Sequence, residues 1–225
     1  MAPANAGAFF CSTPDNRAME FLPVDGPPLL AGSGPTLRPV ARRLAHAFGP
    51  PSTQFTARAS AVEVADPTVG RVQSGGAWID ADVHARVATL LEPALLHGLR
   101  QRFEWYVCRG AFFHTDAHYA NVMFGVWYIV GPPVDLVFPR IGRRLAMHPG
   151  ALTIFDPFEV HGVLSPAASE YLAADYLDCA PSVFVGFELE LDDAVASRFD
   201  VTGHAADARL ISSATRVVAA TGSFE

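Results

Sequence analysis

The fold is decided by the stretch Phe112–Asp116, which reads FFHTD, and by a second stretch far downstream, Asp156–His161, which reads DPFEVH. The first stretch carries a histidine and an aspartate two residues apart, and the second ends in another histidine. Because alternate side chains of a β-strand point to the same face, His114 and Asp116 would lie side by side. Two imidazole nitrogens and one carboxylate oxygen make a three-ligand metal face, which suits a non-haem Fe(II) ion with open positions.

The residues that lead into both stretches favour β-strands. Glu104–Cys108 is rich in aromatic and β-branched residues, and Leu152–Phe155 is a short apolar run that follows a Pro-Gly turn. Two strands of one barrel would bring the three metal ligands together. If the first strand continues without a break, the residues that share the face of His114 are Tyr106, Cys108 and Phe112.

Further short apolar runs, separated by turn signals, follow the first stretch. The clearest is Val122–Val130, which ends at Gly-Pro-Pro. Such spacing is typical of a β-sandwich or barrel rather than of alternating strands and helices. The other predicted strands are Asp135–Phe138, Arg144–Met147, Tyr171–Asp178 and Val183–Leu191.

The first third of the chain carries many proline and glycine turn signals. Residues 1–76 are therefore predicted to be largely irregular and to pack on or cover the barrel. One short helix is predicted over Val40–Phe48. The clearest helical periodicity lies in residues 80–103, where Pro93 interrupts it, which predicts a helix, a break and a second helix.

Composition favours one folded unit. The chain has 225 residues, of which 50% are hydrophobic and 17% charged, so a substantial core and a single domain over 1–225 are expected. Residues 104–191 would form the β core and 192–225 a C-terminal extension with a modest helix over 205–220. A net charge of −7 argues against a nucleic-acid partner, and the absence of lysine excludes a lysine nucleophile or Schiff base.

The three cysteines and the first residues of the chain give an expectation about the cellular compartment. Cys11, Cys108 and Cys179 are widely scattered, so neither a disulfide framework nor a structural zinc site is expected. The first residues lack a secretory signal pattern, and no apolar run approaches the length of a membrane span. The expectation is a cytoplasmic protein without membrane contact.

The segment from about Glu104 to Val163 resembles the core of the Fe(II)- and 2-oxoglutarate-dependent dioxygenase superfamily. His114, Asp116 and His161 match the His-x-Asp…His signature of that family. The resemblance implies a double-stranded β-helix, that is, a jelly roll, with helices that buttress the larger sheet. It also implies that Fe(II), 2-oxoglutarate and dioxygen oxidise a C–H bond of a small-molecule substrate, commonly by hydroxylation.

One departure from the family concerns 2-oxoglutarate. Family members commonly hold its distal carboxylate with an arginine or lysine soon after the second histidine, but this chain has Glu170–Leu172 there and no basic residue before Arg198. Tyr106 is a candidate hydroxyl donor to that carboxylate, and Asn121 a candidate donor to the carboxylate nearer the iron. The candidate cations are Arg109, Arg140, Arg143 and Arg144.

Several alternatives remain open. His118, four residues after His114, is a candidate fourth ligand, as in a cupin that uses metal and dioxygen without 2-oxoglutarate. His148 is a candidate replacement for His161. Zinc hydrolysis and a jelly roll that binds without catalysis rank lower. Phe112 and Trp127 are predicted to form a dry, apolar wall beside the metal.

Overall fold

The computed structural model describes residues 18–32, 34–62, 67–116, 118–203, 206–212, 214–218 and 221–225. Strands dominate these residues, and three short α-helices accompany them. The helices are α1 (Thr53–Ser60), α2 (Ala81–Ala88) and α3 (Asp193–Arg198). The strands are β1 (Glu20–Pro23), β2 (Leu29–Ala31), β3 (Arg38–Pro39), β4 (Arg43–Phe48), β5 (Val72–Ile79), β6 (Leu99–Cys108), β7 (Ala111–His114), β8 (Val122–Val130), β9 (Val134–Phe138), β10 (Arg143–Met147), β11 (Ala151–Phe155), β12 (His161–Leu164), β13 (Ser182–Glu190) and β14 (Arg209–Ile211).

Two antiparallel sheets form the body of the molecule. The larger has seven strands in the order β1-β4-β11-β8-β13-β6-β5, and the smaller has four in the order β10-β9-β12-β7. Side chains from both sheets meet in one buried cluster, so the sheets pack face to face. This arrangement is a jelly roll, and the predicted mainly β fold is confirmed. A third, small sheet has the order β14-β2-β3.

The central strands of the larger sheet are buried on both faces. On β6, Phe103, Trp105 and Val107 belong to an outer core that also contains apolar residues of α1 and α2. The alternate residues Tyr106 and Cys108 face the smaller sheet and join the inner core. The strand period therefore decides which side chains line the inside of the barrel.

The predicted helical region 80–103 is only partly helical. Helix α2 begins after Asp80, whose carboxylate accepts hydrogen bonds from the backbone N–H groups of the first turn. Pro93–Gly98 is a 3-10 helix, and β6 begins at Leu99. The prediction of a second helix up to residue 103 is wrong because side chains four residues apart share a face in a strand as well as in a helix.

The helix predicted over Val40–Phe48 is also wrong. These residues form β4, which pairs with β1 on one side and β11 on the other within the larger sheet. Leu44 packs in the inner core and Ala45 in the outer core, so the apolar residues follow both faces of a strand. The described part of residues 1–76 thus contributes strands of the sheet itself as well as loops.

Two further predictions fail in the C-terminal third. Tyr171–Asp178 is not a strand, because a 3-10 helix occupies Ala173–Tyr176. In the predicted helix 205–220, residues 205, 213, 219 and 220 lie outside the described residues, and the described part contains strand β14. By contrast, β8 has the predicted bounds, and β13 covers nearly all of Val183–Leu191. No helix in the described part of the chain has the length and apolar character that crossing a membrane requires.

Candidate metal centre

Strand pairing brings the two distant histidines together. Strands β7 and β12 are antiparallel neighbours, and His114 lies directly opposite His161. Asp116 follows the end of β7, and its backbone N–H donates to the carbonyl of Pro157, with 2.7 Å between the two atoms. This hydrogen bond holds the loop that carries Asp116 against the turn before β12.

Both imidazole rings are oriented by backbone carbonyls. Nδ1 of His114 lies 2.7 Å from the carbonyl oxygen of Phe112, and Nδ1 of His161 lies 2.9 Å from that of Glu159. Because a carbonyl oxygen only accepts hydrogen bonds, each Nδ1 carries the proton and each Nε2 keeps its lone pair.

The two free Nε2 atoms approach the same carboxylate. Nε2 of His114 lies 3.7 Å from Oδ1 of Asp116, and Nε2 of His161 lies 3.5 Å from Oδ2. One ligand atom from each residue lies within 4.8 Å of the others. Three donor atoms thus surround one point, in the tautomer and spacing that a single metal ion requires.

Burial and neighbouring residues set the protonation of His114 and Asp116. Burial lowers the pKa of His114 to about 4, and repulsion from His161 adds to the effect. Burial opposes ionisation of Asp116, but the neighbouring His161 and His114 outweigh it and lower the pKa of that carboxyl. At neutral pH the group therefore offers a neutral His114 and a charged carboxylate, the forms that bind metals.

Two buried ion pairs hold the turn that precedes His161. Asp156 accepts two hydrogen bonds from Arg38, at 2.7 and 3.1 Å, and one from the backbone N–H of Ala41 at 2.8 Å. Glu159 accepts from Nε of Arg140 at 2.8 and 3.0 Å. Burial raises the pKa of Glu159, against the attraction of Arg140. These pairs were not predicted, because nothing in the local sequence marks either acidic residue as the partner of an arginine.

A cavity of about 310 Å³ opens beside the three ligand residues, between the two sheets. Its polar residues besides the triad include Ser74, Glu104 and His118. The hydroxyls of Tyr106 and Tyr119 are 2.6 Å apart within it. Its apolar wall includes Phe124, Val126, Leu136, Met147, Phe155 and Phe184.

Of the residues predicted to hold 2-oxoglutarate, Tyr106 lines the cavity, whereas Arg109, Asn121 and Arg140 do not. Asn121 is exposed in a left-handed turn, with φ 57°, and Arg109 donates to the carbonyl of Leu177. Arg140 is committed to Glu159.

The two remaining candidate cations also lie outside the cavity wall. Arg143 lies 3.8 Å from the carboxylate of Asp25, and Arg144 pairs with Asp135. None of the described residues that line the cavity is an arginine, and the chain has no lysine.

The other histidines differ in position. His118 lines the cavity but does not belong to the three-residue group, so the described residues do not form the four-ligand set of a cupin. His148 is exposed, its ring lies 5.3 Å from that of Phe48, and it is outside the cavity wall. The alternative in which His148 replaces His161 is therefore wrong.

The predicted apolar wall needs two corrections. Trp127 is fully buried in the outer core, where its indole N–H donates to the carbonyl of Gly49 at 2.9 Å. It points away from the cavity because it alternates with Val126 on β8. Phe112 shares the face of His114, but its ring contacts Tyr171 and does not line the cavity.

The predicted continuous strand is also interrupted. Strand β6 ends at Cys108 and β7 begins at Ala111, with Gly110 between them at φ 65°. A Cβ at Gly110 would lie 2.6 Å from the ring of Tyr176, so this bend depends on glycine. Tyr106 nevertheless faces the cavity, as the prediction required.

Ser74 and Glu104 were not predicted as cavity residues. Glu104 lies two residues before Tyr106 on β6 and therefore shares its inward face. That alternation was a sufficient signal for Glu104, whereas Ser74 comes from β5, in the region predicted to be irregular.

No protein-family model matches the chain, and no curated protein matches its sequence. Among solved structures, the chain is similar to a Pseudomonas putida prolyl-4-hydroxylase, with 14% sequence identity over 65% of this chain and 92% of that one. The TM-score of this match is 0.42. A likeness at this level says nothing about the substrate of this chain.

Proposed function

We propose that this protein is a non-haem Fe(II) dioxygenase that oxidises a C–H bond of a small molecule. The observation that carries the proposal is the convergence of His114, Asp116 and His161 on one side of a cavity. Two imidazoles and one carboxylate suit Fe(II) and leave positions for substrate and dioxygen. Bound Fe(II) would supply the activation of dioxygen.

The chain's own residues position and protect this chemistry. The carbonyls of Phe112 and Glu159 fix both imidazoles with Nε2 toward the metal position. The Asp116 carboxylate would balance part of the charge of the metal. The apolar wall of the cavity keeps water from the reacting groups.

Our first candidate for the co-substrate is 2-oxoglutarate. The support is the resemblance of residues 104–163 to the family, together with the hydroxyl of Tyr106 in the cavity. Arg109, Asn121 and Arg140 are not part of this proposal, because their side chains are placed elsewhere.

A second candidate is a cupin-like oxygenase that uses the metal and dioxygen without 2-oxoglutarate. One observation favours it: none of the described cavity residues is an arginine, and the chain lacks lysine. The second carboxylate of 2-oxoglutarate would then lose solvation without gaining a cation, which is costly in a partly buried site.

The test loads the protein with Fe(II) under anaerobic conditions and then adds 2-oxoglutarate and dioxygen. The first candidate predicts iron-dependent release of succinate and carbon dioxide in equal amounts, and none from Asp116→Ala. Iron-dependent consumption of dioxygen without succinate would support the second candidate. A protein that binds no iron would contradict both.

A further inference from the structure

The cavity contains an acidic group that the metal does not use. Glu104 lies on the inward face of β6 and lines the cavity. Its carboxylate accepts a hydrogen bond from Ser74, whose hydroxyl in turn accepts from the backbone N–H of Gly76 at 3.1 Å. Ser74 is thereby fixed as a donor toward the Glu104 carboxylate.

Glu104 forms no ion pair within the described part of the chain. Arg102, two residues earlier on the same face, is exposed and outside the cavity wall, although it lines a small neighbouring pocket with Glu104. The neighbouring Arg100 is paired with Glu188 on β13. The cavity therefore presents a negative charge at Glu104 in addition to that of Asp116.

Aromatic rings accompany the negative charge. Tyr106, Tyr119 and Phe124 all line the cavity, with ring centroids 5.9 Å apart for Tyr106 and Phe124 and 4.9 Å apart for Tyr119 and Phe124. Burial raises the pKa of Tyr106, and its contacts with Tyr119 and Glu104 raise it further, so the phenol stays neutral. Neutral aromatic rings attract cations through their faces.

We infer that the cavity takes a small substrate with an apolar body and a positively charged nitrogen, which lies against Glu104 and the neighbouring aromatic rings. The inference rests on the proposed function, since it names the substrate class of the same cavity. The cavity volume of about 310 Å³ lies at the low end for ligand sites, which agrees with a compact amine. In the metal-free cavity, an anionic substrate would meet two carboxylates and no arginine or lysine among the described wall residues.

The test compares three probes that share a ring and chain: 2-phenylethylamine, 2-phenylethanol and phenylacetate. Binding is measured by calorimetry on the Fe(II)-loaded protein without dioxygen, and again on the metal-free protein. We expect the amine to bind about tenfold more tightly than the alcohol in both forms, and the anion to bind most weakly.

Two substitutions test whether the preference for the amine comes from the charge of Glu104. Glu104→Gln keeps the size of the side chain and its acceptor for Ser74 but removes the charge, and should reduce the preference for the amine about tenfold. Glu92→Gln is the matched control, because Glu92 is already paired with Arg198 and does not line the cavity. It should leave the preference unchanged.

Each other outcome counts against the inference. A preference for phenylacetate, or an amine preference that Glu104→Gln leaves intact, would overturn it. An amine preference confined to the iron-loaded form would show ligation of iron by the amine and would also overturn it. Failure of iron binding would contradict the proposed function, whereas the metal-free measurements would still decide the inference.

Discussion

Four acidic residues of the barrel form two groups with opposite surroundings. In the turn before His161, Asp156 and Glu159 are buried, and each is paired with an arginine. In the cavity, Asp116 and Glu104 have no arginine partner among the described residues. All four lie in one small fold, yet only the pair outside the cavity is neutralised by the chain itself.

This difference separates carboxylates that stabilise the fold from carboxylates that remain available to bind a ligand. Burying a carboxylate without a positive partner lowers the stability of the fold. Where no ligand can reach the carboxylate, an arginine of the chain therefore pairs with it. Cavity carboxylates that lack this compensation stay available, Asp116 to a metal ion and Glu104 to a cationic group. The contrast predicts that the first pair contributes to stability and the second pair to binding.

The largest expected effect on stability comes from breaking one of the buried ion pairs. Arg38→Ala leaves Asp156 buried and unpaired, and should lower the free energy of unfolding by about 3 to 5 kcal/mol. Chemical denaturation of the metal-free protein measures this. Arg100→Ala is the control, since its pair with Glu188 is exposed, and should cost less than about 1 kcal/mol. Equal losses from the two variants would remove the distinction between the regions.

A smaller effect concerns pH and the cavity. The pKa of His114 falls from about 6.5 in the unfolded chain to about 4 in the folded protein. Between these values the unfolded state binds more protons, so acidification favours unfolding. The metal-free protein should keep this contribution above pH 6.5 and lose about 2 to 3 kcal/mol as the pH falls toward 4.

The pH effect is measured as the free energy of unfolding between pH 7 and 4. His114→Asn should flatten the curve by that amount. His97→Gln, at an exposed position, should leave it unchanged. A curve that His114→Asn does not alter would show that His114 titrates alike in the folded and unfolded states.

The smallest expected effect on stability comes from Glu104, which has no arginine partner among the described residues. Glu104→Gln keeps the side chain's shape and should change the free energy of unfolding by less than about 0.5 kcal/mol. Denaturation under the same conditions as for Arg38→Ala makes the comparison direct. A loss of several kcal/mol would mean that Glu104 has a structural role, like Asp156.

Much of the barrel could be predicted from local sequence. The bounds of β8 follow from an apolar run that ends at Gly-Pro-Pro, and the pairing of His114 with Asp116 follows from their spacing on a strand. The choice of His161 over His148 comes from the resemblance of the preceding residues to the dioxygenase family. These signals are local, so they need no knowledge of the partner strands.

The missed features depend on distant partners. Arg43–Phe48 is a strand because β1 and β11 pair with it, and its sequence alone also fits a helix. The position of Ser74 opposite Tyr106 depends on the register between β5 and β6, which no single stretch contains. Arg140 and Arg144 were co-substrate candidates because their sequence positions do not show that the fold pairs them with Glu159 and Asp135.

We propose that His114, Asp116 and His161 bind one iron ion. Anaerobic titration with Fe(II), followed by removal of free metal and elemental analysis, measures the iron content of each variant. We expect about one iron per chain in the wild type and in His148→Ala, and almost none in His161→Ala or Asp116→Ala. Equal iron content in all four proteins, or no iron in the wild type, would contradict it.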